Sequence, residues 1–279
     1  MYFNAEQIIT AIYAHFNNSC INGVIPINLR APSLVGTVQD DPFDCMIESE
    51  IRYAFPELEV TSSGPLTTPD IIIRDRTTGV IVGIEVKKLI QKPNGSDSRG
   101  LTMDYNSCLP CGTALIKVGD ITTEIPCYYF FALLNTNSSA IVTLILMHGD
   151  FINYDFNLHK QAKVSNITEY GHGPYGEGSV RRRAMYTYPN PLNSRLECFF
   201  HKKTLVLKYN HGVNLGLNNH VIYRIDRFDI YGNSFSYSLI ELGRVSYPIS
   251  PEIISDIFHD CKVRVPRVRT SAAMPLLSE

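Results

Sequence analysis

Two short β-branched runs, Ile71-Ile72-Ile73 and Val80-Ile81-Val82-Gly83-Ile84, flank the polar turn Thr77-Thr78-Gly79 and constrain this chain more than any other feature. Apolar runs of this length, bounded by turn residues, read as the two buried strands of a hairpin. Charge stands at their ends: Asp70 at the mouth of the first strand, Glu85 and Lys87 near the end of the second. Ionised groups placed where burial is otherwise nearly complete need partners or a metal. Because side chains alternate along a strand, Glu85 and Lys87 share one face and Val86 takes the other, while Asp70 can reach the same edge from the neighbouring strand.

Two carboxylates converging on one point make a hard-oxygen site suited to Mg²⁺, and the adjacent Lys87 ammonium can hold or deprotonate a water and offset charge on a phosphate. That is the chemistry of phosphodiester hydrolysis. Pro69-Asp70, then Glu85-Val86-Lys87 at the end of the next strand, resembles the PD-(D/E)xK nuclease superfamily and, within it, the type II restriction endonucleases. The resemblance covers roughly residues 43–152. It implies a Mg²⁺-dependent, site-specific endonuclease acting on double-stranded DNA. Asp70, Glu85 and the Val86 carbonyl would bind the metal, and Lys87 would orient the attacking water. Two alternatives stay open: a structure-specific or repair nuclease of the same chemistry, and a non-catalytic DNA-binding protein whose Asp, Glu and Lys residues are structural.

Upstream, Ile8, Ile9, Ile12, Tyr13 and Phe16 recur at helical spacing and predict a helix over Ala5–Phe16. Residues Cys20–Gly36 carry the Pro and Gly punctuation of a loop. Asp40-Asp41-Pro42 then opens a second helix, with an acid as N-cap and proline in the first turn. On that helix Phe43, Met46, Ile47 and Ala54 fall in one sector with Glu50 in the middle of it, whereas Glu48 and Glu57 lie off it and are expected to be solvated. An acid on an apolar face is expensive unless something binds it, so Glu50 is the candidate for a further catalytic and metal-site carboxylate. The resemblance implies a glutamate on such a helix; the alternative is a hydrogen-bonded glutamate at the helix edge.

Net charge is −2, so overall balance gives no direct vote for nucleic acid, and any DNA contact has to come from local clusters. After Lys87 the chain turns polar over Gln91–Gly100 and Asp104–Ser107, which reads as a long loop leaving the catalytic strand. Its Arg99, Asn106 and Ser107 are of the types that contact phosphates and base edges. A Gly- and Tyr-rich stretch over 169–179 runs into Arg181-Arg182-Arg183, and Lys202-Lys203 and Lys262–Arg269 add positive charge. These are the candidate phosphate contacts, set against the plainer reading of a solvated charged surface.

Seven cysteines, with no basic n-region at the start of the chain, predict free thiols and a cytoplasmic protein. Cys108-Leu109-Pro110-Cys111 is half of a zinc site, but no second close pair of ligands follows it. No apolar run approaches the ~20 residues of a membrane helix. Further strands are predicted over Tyr128–Leu134, Ala140–Met147, Thr204–Lys208, Val221–Asp226 and Phe235–Leu242. The expected architecture is α/β, a central mixed β-sheet flanked by helices with a β-rich C-terminal half, forming a single nuclease domain over 1–279. Its catalytic core lies at about 40–150, with DNA-recognition and dimerisation elements at about 91–115 and 165–279. A homodimer is expected, because two-fold symmetry of the subunits matches a palindromic duplex.

Overall fold

A computed structural model of the chain describes residues 1–35, 38–63, 69–94, 102–105, 113–149, 182–189, 203–208, 220–228, 234–241, 262–268 and 276–277. Among them are two helices, α1 (Ala5–Asn18) and α2 (Pro42–Ala54). The strands of the first half are β1 (Ile25–Pro26), β2 (Leu34–Val35), β3 (Val38–Gln39), β4 (Leu58–Ser62), β5 (Ile71–Asp75), β6 (Ile81–Ile90), β7 (Thr102–Tyr105), β8 (Thr113–Val118), β9 (Ile121–Leu134) and β10 (Ala140–His148). Those of the second half are β11 (Arg182–Pro189), β12 (Lys203–Lys208), β13 (His220–Phe228), β14 (Ser234–Glu241), β15 (Lys262–Val268) and β16 (Leu276–Leu277).

The predicted hairpin forms. β5 and β6 pair antiparallel with Ile71 opposite Ile84 and Ile73 opposite Val82, and the turn closes with Gly79 N–H donating to the Asp75 carbonyl at 2.8 Å. Around it the main sheet runs in the order β13-β14-β12-β10-β9-β6-β5-β4. It is mixed: β6 lies parallel to β9 and β10 parallel to β12, while the other pairs along that order are antiparallel. This is the α/β architecture with a central mixed sheet that the sequence predicts.

β9 is its axis. Its first half pairs with β8, and its second half is held between β6 and β10. From Cys127 to Leu134 every residue is buried, which explains the unbroken aliphatic and aromatic run there: both faces of a central strand are covered.

Alternation assigns the faces. Val82, Ile84 and Val86 of β6 join Tyr128, Phe130, Ala132 and Leu134 of β9 in one core with Ile8, Ile12 and Phe16 of α1 and Phe43, Ile47 and Ile51 of α2. Each such fully buried aliphatic or aromatic side chain contributes roughly 1.5–3 kcal/mol relative to exposure. The helices are therefore fastened to the even-numbered face of β6, and the odd-numbered face carries Glu85 and Lys87.

The polar stretch after Lys87 departs from the predicted loop. β6 continues to Ile90, and Asp104 and Tyr105 belong to β7, which pairs with β11 in a separate three-stranded sheet ordered β15-β11-β7. Pairing partners remote in sequence stabilise these segments, and local composition carries no trace of them.

Candidate functional site: a carboxylate pair and lysine at the β5–β6 mouth

The site is built from the backbone outward. Pro69 is buried against Gly83: a methyl group added to Gly83 would come within 2.6 Å of Pro69 Cγ, so this close approach needs a residue without Cβ. The approach sets Asp70 beside β6, where its Oδ2 accepts the Val86 N–H at 2.7 Å. Asp70 is thereby tied to the backbone of the residue between the two functional side chains of the next strand.

On that strand Glu85 is buried, only 2 % exposed, and Lys87 Nζ donates to its Oε1 at 2.5 Å. The second oxygen, Oε2, is buried with no hydrogen-bond partner among the described residues. An unsatisfied buried carboxylate oxygen costs free energy comparable to a lost charged hydrogen bond unless a cation or ordered water meets it.

Electrostatics single out the same place. Burial pushes the Asp70 carboxyl well above the usual carboxylate range, and the nearby charge of Glu85 pushes it further; Lys87 opposes the shift, Asp44 adds to it and the Val86 N–H opposes it. Asp44, in the first turn of α2, rises to about 7, first through burial and then through Asp41, with Lys88 and Lys87 pulling it back and Glu85 pushing it up. Three carboxyl groups thus feel one another across the end of β6 and the start of α2. Like charges gathered in this way favour protonation until a cation joins them.

The helix is positioned by the same neighbourhood. Asp41 caps α2 by accepting the Phe43 N–H at 2.9 Å, and it also forms an ion pair with Lys88. Lys88 Nζ in turn lies 5.6 Å from the centre of the Phe43 ring. Lys87 and Lys88, adjacent on a strand and pointing to opposite faces, serve the carboxylate pair and the helix N-terminus respectively.

Glu50 is corrected. It does not join these acids: His15 Nε2 of α1 lies 2.8 Å from its Oε1, and its side chain is 42 % exposed. Glu48, expected in solvent, is less exposed at 15 % and pairs with Arg52. Periodicity sets Glu50 among the apolar positions of α2, whereas the stripe that is buried is Phe43, Ile47 and Ile51. Six residues from Asp44, Glu50 stands about 9 Å further along the helix and about 120° around it, beside His15 of α1. The sequence signal for Asp44 was its position three residues after the Asp41 cap, on the same side of the first turn.

Lys203 is also corrected. It is buried within β12 and its Nζ donates to the Gly23 carbonyl at 2.8 Å, tying the sheet to the α1–β1 connection rather than facing a phosphate. Arg182 and Arg183 open β11. Arg99, Asn106, Ser107, Arg181, Lys202 and the Cys108/Cys111 pair lie outside the described residues.

No three His, Cys, Asp or Glu side chains among the described residues form a ready-made metal group. The pair that is present suits a hard cation nonetheless. Mg²⁺ keeps several waters and is held by one or two carboxylates, and Glu85 Oε2 supplies a buried acceptor that lacks a partner. No helix is long and apolar enough to cross a membrane, among the described residues. Comparison of the chain with protein-family models, with curated proteins and with solved structures finds no match.

Proposed function

We propose that the chain is a Mg²⁺-dependent, site-specific endonuclease that hydrolyses phosphodiester bonds of double-stranded DNA. The observation that carries this reading is the buried, unpartnered Oε2 of Glu85 beside Asp70 and Lys87. Two acids and an ammonium on one strand mouth are the minimum set for activating water at a phosphate, and the resemblance in Pro69-Asp70 and Glu85-Val86-Lys87 points to the same chemistry.

Asp70, Glu85 and the Val86 carbonyl would hold the ion, which would supply charge neutralisation at the phosphate and a more acidic water. Lys87 orients the water and offsets negative charge as it develops on the phosphoryl oxygens. Glu85 keeps the Lys87 ammonium in place through its Oε1. Asp44 stands behind the pair as a third carboxyl, held near neutrality between its charged and uncharged forms. The partner is duplex DNA, the working unit a homodimer and the compartment the cytoplasm.

Calorimetric titration with Mg²⁺ tests the reading without requiring a cognate DNA site. Wild type takes up the ion with release of protons from the Asp70 and Asp44 carboxyls, and Asp70→Ala shows a weakened signal. Identical isotherms for the two proteins would return the carboxylates to a structural role.

A further inference from the structure

The turn between β9 and β10 is built to hold one shape. Ser138 N–H donates to the Asn135 carbonyl at 2.9 Å, which closes a tight turn over Asn135-Thr136-Asn137-Ser138. Asn135 Oδ1 accepts the N–H groups of Ser139 at 2.8 Å and Ala140 at 3.1 Å, and Ser139 Oγ donates to Asn137 Oδ1 at 2.7 Å. The Ser139 carbonyl accepts the Ile27 N–H and the Leu134 carbonyl accepts the Gln91 N–H, both at 2.9 Å, so the base of the turn is fixed to the chain on either side of it.

Ser138 is the unexpected residue. Its φ is +56°, in the left-handed region, where hairpin turns ordinarily place glycine or asparagine. A hydroxymethyl side chain is thus kept where glycine would sit with less strain. What the turn leaves over is uncharged: Thr136 Oγ1, Asn137 Nδ2 and Ser138 Oγ make no hydrogen bond among the described residues, and Thr136 and Asn137 are exposed. Such groups on a rigid hairpin tip fit base edges better than phosphates. In the major groove, which admits a two-stranded ribbon, asparagine pairs with adenine and hydroxyls donate or accept.

The turn also lies downstream of the carboxylate site on the same pair of strands. β6, which carries Glu85 and Lys87, runs parallel to β9 with Lys87 opposite Phe131 and Ile90 opposite Leu134, so β6 ends beside this turn. Thr136 is five residues beyond Phe131. At the strand rise of ~3.3 Å per residue that is at most about 16 Å, or about five base pairs of duplex. Lys92, exposed just past the end of β6, supplies a cation for a flanking phosphate.

We infer that the β9–β10 turn is a base-reading element of the proposed endonuclease, with Thr136, Asn137 and Ser138 contacting base edges in the major groove up to about five base pairs from the cut. The choice of DNA as partner rests on the nuclease reading above. The assignment of the turn to bases rests on its uncharged groups and on its fixed shape, since a preorganised loop loses little conformational freedom on binding.

The test is selection of bound duplexes from a library with a randomised core, using the full chain with Ca²⁺, a larger hard cation, in place of Mg²⁺, followed by sequencing. Wild type should enrich one sequence. Thr136→Ala combined with Asn137→Ala should lose roughly ten- to a hundredfold of the preference at one or two positions. Its affinity for a duplex of arbitrary sequence should change by less than about twofold, because phosphate contacts set that affinity. Ser138→Gly should melt no lower than wild type, since glycine suits the left-handed conformation, and should still lose preference, which rules out misfolding as the cause. Thr122→Ala, at an exposed threonine near the other end of β9, should change nothing.

Undiminished preference in the turn variants overturns the inference, as does a wild type that enriches no sequence. The outcomes separate from those of the nuclease reading. Preference lost with the turn in a protein that never cuts plasmid leaves the turn standing and the nuclease reading fallen; cutting at one sequence by wild type and turn variants alike does the reverse.

Discussion

Asp70, Glu85 and Lys87 form one electrostatic unit, and the substitutions that probe it have different signatures. Lys87→Ala should lower cleavage by at least about 100-fold, the scale of removing one transition-state charge contact. Folding and DNA affinity should be nearly unchanged, and retained turnover would deny the lysine its role. Asp44 gives a pH signature. An acid whose folded-state pKa is raised keeps a proton that the unfolded chain gives up, so this group's contribution to stability is present at low pH and is lost as pH rises from about 4 to about 7. Asp44→Asn should flatten that fall, stabilising the metal-free protein at pH 8 by at most about 4 kcal/mol; Glu50→Gln should not flatten it. Denaturant melts across pH, with and without Mg²⁺, read this directly. At this scale the sequence makes Asp70, Glu85 and Lys87 legible because strand alternation fixes which residues share a face. Asp44 is hidden because it lies about 100° around the helix from Phe43, outside the apolar sector that drew attention to Glu50.

At the scale of elements, the hairpin and α2 decide where the acids meet. Asp41, Pro42 and the Phe43-Ile47-Ile51 stripe specify α2 locally, and its N-cap pairs with Lys88 of β6. β5 and β6 are equally explicit as β-branched runs around a polar turn. The contact between them that places Asp70 is less visible: Gly83 reads as an ordinary interruption of a strand until Pro69 is found against it. Gly83→Ala should therefore destabilise the fold by roughly 1–3 kcal/mol, as overpacking does, and should also reduce cleavage beyond the loss of folded protein by shifting Asp70 away from the Val86 N–H. Thermal melts paired with cleavage by the folded fraction separate the two effects; a stable, fully active Gly83→Ala would remove the Pro69 contact from the account. β7 and β11 are illegible for the opposite reason: their pairing partners lie far along the chain, so the polar texture of 102–105 reads as loop and nothing local marks 182–189 as a strand.

The molecule as a whole is a mixed sheet with α1 and α2 on one face of its first half and further strands supplied by the second half. That the central strands are covered on both faces follows from unbroken apolar runs that only a two-sided core can use. What the second half does to the sheet, joining β12, β14 and β13 to the edge of β10, depends on pairing that no local pattern encodes. Assembly is a prediction at this scale: sedimentation with a cognate duplex should give two subunits per DNA, and a monomer-mass complex would mean that the strands are cut one after the other. The most direct test of the central claim is digestion of plasmid DNA by the purified chain with Mg²⁺, followed by sequencing of the fragment ends. The account predicts discrete fragments whose ends share one sequence context for wild type, and none for Asp70→Asn or Glu85→Gln. Intact plasmid after incubation with wild type across a broad panel of sequences, or equal cutting by Asp70→Asn, would contradict it.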